Sequence, residues 1–473
     1  MTRGRRAAER GMTAMRRSRL KPAVVLGGVW AACLIVFLAT IPLPRVDGQL
    51  VGGDGVGYYA YLPSVVLDRD LDFANQYSAL LPPGHHLLTA RTPTGLSFNY
   101  WPVGPAILWL PFFLLAHGLA LALTAAGAAI RLDGCGYWHQ AFVIAGNIAY
   151  GGAALWLAFG AARRVAQNAS AMWAVVLVAC AGNLVYYMTA EPSLAHAASA
   201  FAVSLFFAVW LRTRGRRGFA HAATLGALVG FIAIVRTQDV VLAIVPLATE
   251  LAGSFSAARR RGAASAVATT CRDGLTMALA AVLIYSPQFL VSAILYGTWW
   301  RPTQFYVGWT LFEVFAWSSP RFWSVLFSPE SGLLAWHPVF ALALLGALPL
   351  WRRDRALAGA LVGGVVAQAY VLGSWYDWAQ GRSFGGRSFV SSLPLFAVGF
   401  AALVDGARQT LAARPRARRV LLAGVATLLV AANFLLAVEF RLDLALSGRR
   451  PTWHDLGTRR VTFLVEKLRG LNR

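Results

Sequence analysis

Long apolar segments alternate with short polar ones along most of the chain. Several apolar segments run for about 18 to 22 residues, the length that a helix rising about 1.5 Å per residue needs to cross about 30 Å of hydrocarbon. Alternation of period two, which is typical of transmembrane barrel strands, does not occur. The pattern therefore predicts an all-α polytopic membrane protein.

The composition supports this class. Of the 473 residues, 58% are hydrophobic and 13% are charged, and the mean hydropathy is +0.56. The formal net charge of +23 does not indicate a nucleic-acid partner, because the arginines form short clusters between apolar segments instead of a continuous basic face. The four cysteines, Cys33, Cys135, Cys180 and Cys271, have the spacing of neither a disulfide framework nor a metal site.

The arginine clusters constrain the topology. Such clusters resist translocation and stay cytoplasmic, so any two of them must be separated by an even number of crossings. We count six clusters, which are the N-terminus up to Lys21, 163–164, 212–217, 259–261, 352–355 and 414–419. This rule predicts about eleven transmembrane helices, the first of them uncleaved, near residues 23–41, 141–160, 171–190, 197–211, 219–235, 240–257, 275–296, 338–350, 356–373, 389–404 and 420–438.

Residues 103–130 are apolar and long enough to span, but a crossing there would invert every later cluster. We therefore predict a re-entrant or interfacial helix pair, interrupted at Pro111 and His117. The same rule places Arg236 and Asp239 at the outer turn of a hairpin. The predicted regions are a basic cytoplasmic tail (1–22), a membrane domain (23–440) with outer loops at 42–140 and 297–337, and a short outer tail (441–473).

Acidic residues of the predicted outer face are the first candidates for chemistry. Asp54 stands in a glycine-rich segment after the first helix, where glycine allows close backbone approach to a ligand. The alternative is a plain turn in which Asp54 caps a helix at 58–67. Glu191 and His196 lie at the membrane boundary, where ionisable groups are costly and often functional, although capping and packing are alternatives. The run of acids at 68–72 is better explained as a solvated turn than as a metal site.

Outward-facing cations are unexpected beside helix ends, and a bound anion would explain them, because guanidinium groups match phosphate geometry. The candidates are Arg236, His337, Arg382 and Arg387. For Arg236, an ion pair with Asp239 is an equal alternative.

Taken in order, these motifs resemble the GT-C superfamily of integral-membrane glycosyltransferases, which includes aminoarabinose transferases, protein O-mannosyltransferases and bacterial lipopolysaccharide-core sugar transferases. The resemblance covers most of the chain loosely. Its carriers are the Gly-Asp-Gly-Val-Gly-Tyr-Tyr segment at 53–59, Asp-Leu-Asp-Phe at 70–73, Asn-Tyr-Trp-Pro-Val-Gly-Pro at 99–105, Glu-Pro at 191–192, Ser-Pro-Glu-Ser-Gly-Leu at 328–333 and Trp-His-Pro at 336–338.

The resemblance implies a sugar donor on a polyprenyl phosphate, a cell-envelope acceptor, and a single displacement with inversion on the outer face of a bacterial inner membrane. It assigns Asp54 as the catalytic base and Glu191 as a second acid. The resemblance assigns no certain cofactor. A divalent metal is possible but weakly supported, because Asp54 is followed by Gly55 where the family often has another acid. The expected substrate contacts are Tyr58, Tyr59, Asn99, His196, Arg236, His337, Arg382 and Arg387.

Two other functions remain open at this stage. A transporter or flippase of a lipid-linked saccharide would show inverted repeats and polar residues near the bilayer midplane, whereas no repeat is evident here and the charges gather at helix ends. A non-catalytic envelope-assembly protein would need outer arginines but no base. The sugar, the acceptor and the linkage are not readable from these residues.

Overall fold

A computed structural model describes residues 21–43, 48–299 and 314–471, without the side chains of residues 382, 468, 470 and 471. This part of the chain is mostly helical. The first ten helices are α1 Pro22–Thr40, α2 Asp54–Pro63, α3 Ala74–Leu80, α4 Gly104–Ala125, α5 Tyr137–Ala162, α6 Asn168–Cys180, α7 Leu184–Thr189, α8 His196–Thr213, α9 Phe219–Val235 and α10 Ile244–Arg259. The remaining ten are α11 Ala263–Tyr296, α12 Phe322–Phe327, α13 Leu333–Trp336, α14 Pro338–Leu345, α15 Ala347–Arg353, α16 Arg355–Ser374, α17 Leu393–Thr410, α18 Pro415–Glu439, α19 Ala445–Ser447 and α20 Arg460–Leu471.

The predicted class, an all-α polytopic membrane protein, is confirmed. Within the described ranges, nine helical segments are long and apolar enough to cross a membrane, and α6 and α9 are shorter apolar helices. Every predicted crossing has a helical counterpart, and the helix at 219–235 has the predicted bounds. Short 3-10 turns, Thr237–Ala243 before α10 and Arg387–Ser392 before α17, extend two of the segments.

Two predicted crossings are interrupted: 171–190 is divided into α6 and α7, and 338–350 is broken at Gly346 into α14 and α15. A side-chain carbon at this position would lie 1.8 Å from the carbonyl oxygen of Gly399 in α17. Only glycine allows backbones to approach so closely, and such small-residue contacts are typical of helix crossings in membranes. The hydropathy pattern predicts the apolar length of this segment. It does not predict the contact between Gly346 and Gly399 at the break.

The arginine clusters of the described residues lie together at one end of the helix bundle. Arg214 forms an ion pair with Asp354, which joins the cluster after α8 to the one after α15. Arg353 reaches Asp405 at the end of α17, at 3.2 Å. Arg408 donates to Ser170 at the start of α6, at 3.0 Å. These contacts hold the ends of several helices together on one side of the bundle.

The predicted helix pair at 103–130 is wrong, because α4 is one continuous helix that contains Pro111. It runs antiparallel to only the first half of α5. The Trp109 indole donates to Asn147 at 3.2 Å, and the Trp138 indole donates to the Ala116 carbonyl at 2.8 Å. Thus α4 begins level with the middle of α5. In hydrocarbon no water competes for backbone groups, so proline interrupts a helix less effectively than in a soluble protein.

The C-terminal segment folds back on α18 instead of extending freely. Arg449 pairs with Asp455 at 2.7 Å, and Arg459 pairs with Glu439 at 3.3 Å. Arg460 then donates to the carbonyl of Ala432 within α18, at 3.2 Å. These ion pairs hold the segment after α18 against the end of the bundle opposite the arginine clusters.

Candidate functional site

A cavity of about 1550 Å³ opens at the end of the bundle opposite the arginine clusters. Its walls come from the segment after α1, the turn before α8, the 3-10 turn after α9, the segment between α16 and α17, and the start of the C-terminal segment. The structure brings five predicted site residues from four separate parts of the sequence into this cavity: Asp54, Tyr58, Glu191, Arg236 and Arg387.

Asp54 is the first residue of α2, and Gly53 before it has φ of 55°. The alternative that Asp54 caps a helix beginning at Tyr58 is wrong, because the helix already begins at Asp54. Asp54 and Tyr58 are four residues apart and therefore lie on one face of α2. Both line the cavity.

Two glycines explain how α2 fits so closely beside the cavity. A side-chain carbon on Gly55 would lie 2.7 Å from the carbonyl oxygen of Ser193, and one on Gly57 would lie 1.9 Å from the Trp101 ring. Trp101 is itself stacked on Tyr100, with ring centroids 3.9 Å apart. The glycine-rich segment is therefore a close-packed helix start and does not form an open loop.

Asp54 is paired with Arg387. One Asp54 carboxylate oxygen lies 3.1 Å from a guanidinium nitrogen of Arg387, whose side chain is 20% exposed, against 35% for Asp54. Arg387 opens the 3-10 turn before α17 and follows Gly386, which has φ of 56°. The sequence predicts Arg387 as a phosphate contact, whereas here its nearest charged partner is the predicted base.

Two more carboxyl groups face this ion pair. Asp377 lines the cavity, and both its carboxylate and the Arg387 guanidinium lie beside Gly381, each 3.8 Å from the position of a side-chain carbon there. Glu191 accepts from the Tyr186 hydroxyl at 3.3 Å. Burial raises the pKa of both Asp377 and Glu191, although the charge of Arg387 opposes the rise.

Arg236 is a buried cation that lines the cavity. Its guanidinium contacts the Nδ1 atom of His196 and donates to the Ser388 hydroxyl at 3.1 Å. The alternative ion-pair partner, Asp239, accepts instead from Ser199 and from Gln368. His196 does not line the cavity but supports Arg236 from behind. The hydrogen-bond partners recorded for Arg236 are thus neutral side chains, and its charge faces the cavity.

Tyr59 and Asn99 lie in the packed interior and do not line the cavity. The Tyr59 hydroxyl donates to the carbonyl of Gly134. The Asn99 amide donates to the carbonyl of Gly57 at 2.9 Å and accepts from the backbone of Trp101 at 3.1 Å. Both residues hold α2 and the segment beside it in position.

His337 is fully buried and also lies away from the cavity lining. Its Nδ1 atom lies 2.9 Å from the Asn433 side-chain oxygen, and its Nε2 atom lies 3.1 Å from the carbonyl oxygen of Gly385. His337 therefore anchors the segment that carries Arg387. The side chain of Arg382, another predicted contact, lies outside the described part of the structure.

The acids at 68–72 turn toward different partners. Asp70 accepts from the Ser64 hydroxyl at 2.8 Å, whereas Asp72 accepts from the backbone nitrogen of Ser97 at 3.0 Å. Asp68 accepts from the Asn75 amide at 2.8 Å. Across residues 21–43, 48–299 and 314–471, no group of three or more His, Cys, Asp or Glu side chains is arranged to hold a metal ion.

Sequence reasoning missed several cavity residues, notably Asp377, Gln380 and Arg441. Asp377 stands in a Trp-Tyr-Asp-Trp segment shortly before Arg382 and Arg387. Its position next to two predicted phosphate contacts could have identified it from the sequence. Arg441 falls at the start of the predicted outer tail, and the helix of α18 continues through this residue to the cavity.

No protein-family model matches this chain, and no curated protein matches its sequence. The function is therefore inferred from the geometry of the cavity alone.

Proposed function

We propose that the protein is a membrane glycosyltransferase that moves a sugar from a polyprenyl-phosphate donor to a hydroxyl of a cell-envelope acceptor. One observation carries the proposal: a carboxylate, Asp54, and a buried guanidinium, Arg236, line the same cavity at the end of the bundle away from the arginine clusters. Such a pairing suits a reaction that takes up a proton on one side and releases a phosphate on the other.

The chemistry needs little else from the protein. The acceptor oxygen attacks the anomeric carbon of the sugar, and its proton passes to the Asp54 carboxylate. The bond between that carbon and the phosphate oxygen breaks, and the electron pair leaves with the polyprenyl phosphate. A single displacement inverts the anomeric centre. General-base assistance of this kind contributes typically about 10²- to 10⁴-fold to the rate.

The contacts of Arg387 and Arg236 indicate a different role for each. Arg387 holds Asp54, so its charge is already directed at a carboxylate. The hydrogen-bond partners of Arg236 are neutral, and the nearby Asp239 carboxylate accepts from Ser199 and Gln368 instead of pairing with it. A phosphate in the cavity would supply a counter-ion. We therefore assign the leaving phosphate to Arg236 and the orientation of the base to Arg387.

Glu191 supports the acceptor side in this proposal. Its carboxyl lines the cavity beside the Tyr186 hydroxyl, and burial raises its pKa. A carboxyl group can accept hydrogen bonds from sugar hydroxyls. The acid is thus suited to binding sugar.

The orientation follows from the positive-inside rule. The arginine clusters occupy one end of the bundle and the cavity opens at the other. If the arginine end faces the cytoplasm, the cavity opens on the outer face of a bacterial inner membrane. Lipid-linked sugars and envelope acceptors would meet there.

The test is the release of polyprenyl phosphate by purified protein in detergent, given a panel of polyprenyl-phosphate sugars and an envelope extract as the acceptor. We expect Asp54→Asn to reduce release about 10²- to 10⁴-fold while polyprenyl phosphate still binds. Asp133→Asn is the matched control, because Asp133 lies outside the cavity and pairs with the exposed Arg131. Absence of release by the wild-type protein with every donor would contradict the proposal. Equal release by Asp54→Asn would remove the base and favour a transporter or an assembly protein.

A further inference from the structure

The ring of Tyr58 is fixed in the wall of the cavity. It packs edge-on against Trp101, with ring centroids 6.4 Å apart, and against Trp109, at 6.2 Å. The residue is 8% exposed, and its exposed part faces the cavity. Aromatic pairs of this geometry restrict ring motion. The hydroxyl of Tyr58 is thus held in one place before any ligand binds.

This hydroxyl lacks a protein partner. Among the residues that the structure describes, none forms a hydrogen bond with it. The hydroxyl opens onto the cavity, so it is free to donate to a group bound there. The contrast on the same helix is clear, since the Tyr61 hydroxyl donates to the carbonyl of Trp101 at 2.9 Å. The missing partner of Tyr58 is therefore expected from whatever occupies the cavity.

The charges around Tyr58 indicate the kind of partner. Two cations, Arg236 and Arg387, and two acids, Asp54 and Asp239, all act electrostatically on its hydroxyl. Arg236, Asp54 and Arg387 line the same cavity as Tyr58. Burial raises the pKa of Tyr58 well above its usual range, so the group stays protonated and donates hydrogen bonds at any physiological pH. A neutral donor beside a guanidinium suits a phosphate oxygen.

We propose that the Tyr58 hydroxyl donates a hydrogen bond to the phosphate of the polyprenyl-phosphate donor, beside Arg236. This inference rests on the proposed function and goes further, because it names the group that positions the leaving phosphate relative to the base. Asp54 and Tyr58 are one helical turn apart on α2, so their β-carbons lie about 5–6 Å apart. One rigid helix then sets the distance between the proton acceptor and the leaving group.

The test compares Tyr58→Phe with Tyr61→Phe, a control on the same helix that also loses one hydroxyl. We expect Tyr58→Phe to weaken binding of polyprenyl phosphate and to slow its release by roughly ten- to a hundredfold, the usual effect of losing a hydrogen bond to a charged group. Tyr61→Phe should change both by less than about threefold, as expected for a neutral hydrogen bond outside the site.

A second ligand separates this role from simple packing. Polyprenol has the same chain without the phosphate, and it should bind equally well to wild type and to Tyr58→Phe. An equal loss of affinity for both lipids would show that the ring packs the site and would overturn the proposed donor role. If wild type releases polyprenyl phosphate and Tyr58→Phe behaves like Tyr61→Phe, the Tyr58 inference is wrong and the proposed function stands. If wild type neither binds nor releases polyprenyl phosphate, both fail.

A second variant keeps the inference testable if Tyr58→Phe fails to fold. The residue 3,5-difluorotyrosine at position 58 keeps the ring and the hydroxyl but ionises at lower pH. An ionised phenolate repels phosphate, so binding of polyprenyl phosphate should fall at a more acidic pH in this variant than in wild type. Superimposable pH profiles for the two proteins would overturn the inference.

Discussion

At the scale of single residues, the ion pair between Asp54 and Arg387 fixes the orientation of the proposed base. Asp54 is 35% exposed and would otherwise rotate freely in the cavity. Orientation of a reacting group to within about 1 Å is worth as much as about 10²-fold in rate. In the proposed mechanism, Arg387 therefore contributes the fixed geometry of the carboxylate.

Substitutions of Arg387 and Arg236 should have different effects on turnover and on affinity. We expect Arg387→Gln to lower turnover about ten- to a hundredfold with little change in affinity for polyprenyl phosphate, because it frees the base without removing the phosphate contact. Arg236→Gln should instead weaken that affinity about tenfold or more. Steady-state kinetics and direct binding in detergent measure the split, with the exposed Arg131→Gln as a control outside the cavity. A larger loss of affinity in Arg387→Gln than in Arg236→Gln would reverse the assignment.

The sequence identified individual site residues unevenly, for physical reasons. An acid directly after the first helix and an arginine beside a helix end are local signals, so Asp54 and Arg236 could be found. Arg441 lies where the helix of α18 continues past its predicted end, and no local pattern reports that this helix end reaches the cavity. His337 carries the same local signal as Arg236, yet both of its ring nitrogens meet protein partners in the interior. Hydrogen-bond satisfaction is a tertiary property, and only the structure distinguishes the two cases.

At the scale of elements, α2 is the helix that brings both Asp54 and Tyr58 to the cavity. Its two glycines press the helix against Ser193 and Trp101, and this contact turns Asp54 and Tyr58 into the cavity. Glycine weakens an isolated helix by roughly 0.5–1 kcal/mol relative to alanine, so two of them in one short helix indicate a requirement for close packing. The helix gives up intrinsic stability and gains a defined position beside the cavity.

Gly57→Ala tests this packing. The added carbon would lie 1.9 Å from a Trp101 ring that is stacked on Tyr100, so neither side can yield easily. We expect a destabilisation of about 1–3 kcal/mol, typical of overpacking, seen as a lower melting temperature in detergent. Gly28→Ala in α1 is the matched control, because nothing lies within 4 Å of its added carbon. That variant should melt at or slightly above the wild-type temperature, and equal melting of the two variants would refute the packing argument.

Helix positions were predictable from the sequence, but their breaks and bends were not. An apolar run of membrane length has few structural outcomes, because every backbone group must be satisfied internally. The start of α9 and the end of α1 followed from this constraint to within a residue or so. The division at Gly346 and the continuity of α4 through Pro111 depend on neighbouring helices. Those neighbours are distant in sequence, so local patterns do not report them.

At the scale of the whole molecule, the arginine-rich links bear on the number of crossings. If all six clusters are cytoplasmic, an even number of crossings must separate any two of them. The clusters at 212–217 and 352–355 are joined by an ion pair at one end of the bundle. All six clusters can face the cytoplasm only if α4 does not cross the membrane. In the structure the segment after α4 contacts α2, through the Tyr59 hydroxyl and the Gly134 carbonyl. Both ends of α4 are therefore connected to segments at the cavity end.

Labelling of single cysteines tests this topology in intact cells. In a chain with the four native cysteines replaced by alanine, Ser78→Cys and Ala128→Cys lie in exposed segments beside the cavity, and Ala412→Cys lies in the last arginine-rich link. We expect a membrane-impermeant maleimide to label positions 78 and 128 in spheroplasts and to label position 412 only after the membrane is permeabilised. Labelling at 78 but not at 128 would make α4 a crossing and would separate the arginine clusters. Labelling at 412 alone would place the cavity in the cytoplasm, where the proposed envelope acceptor is absent.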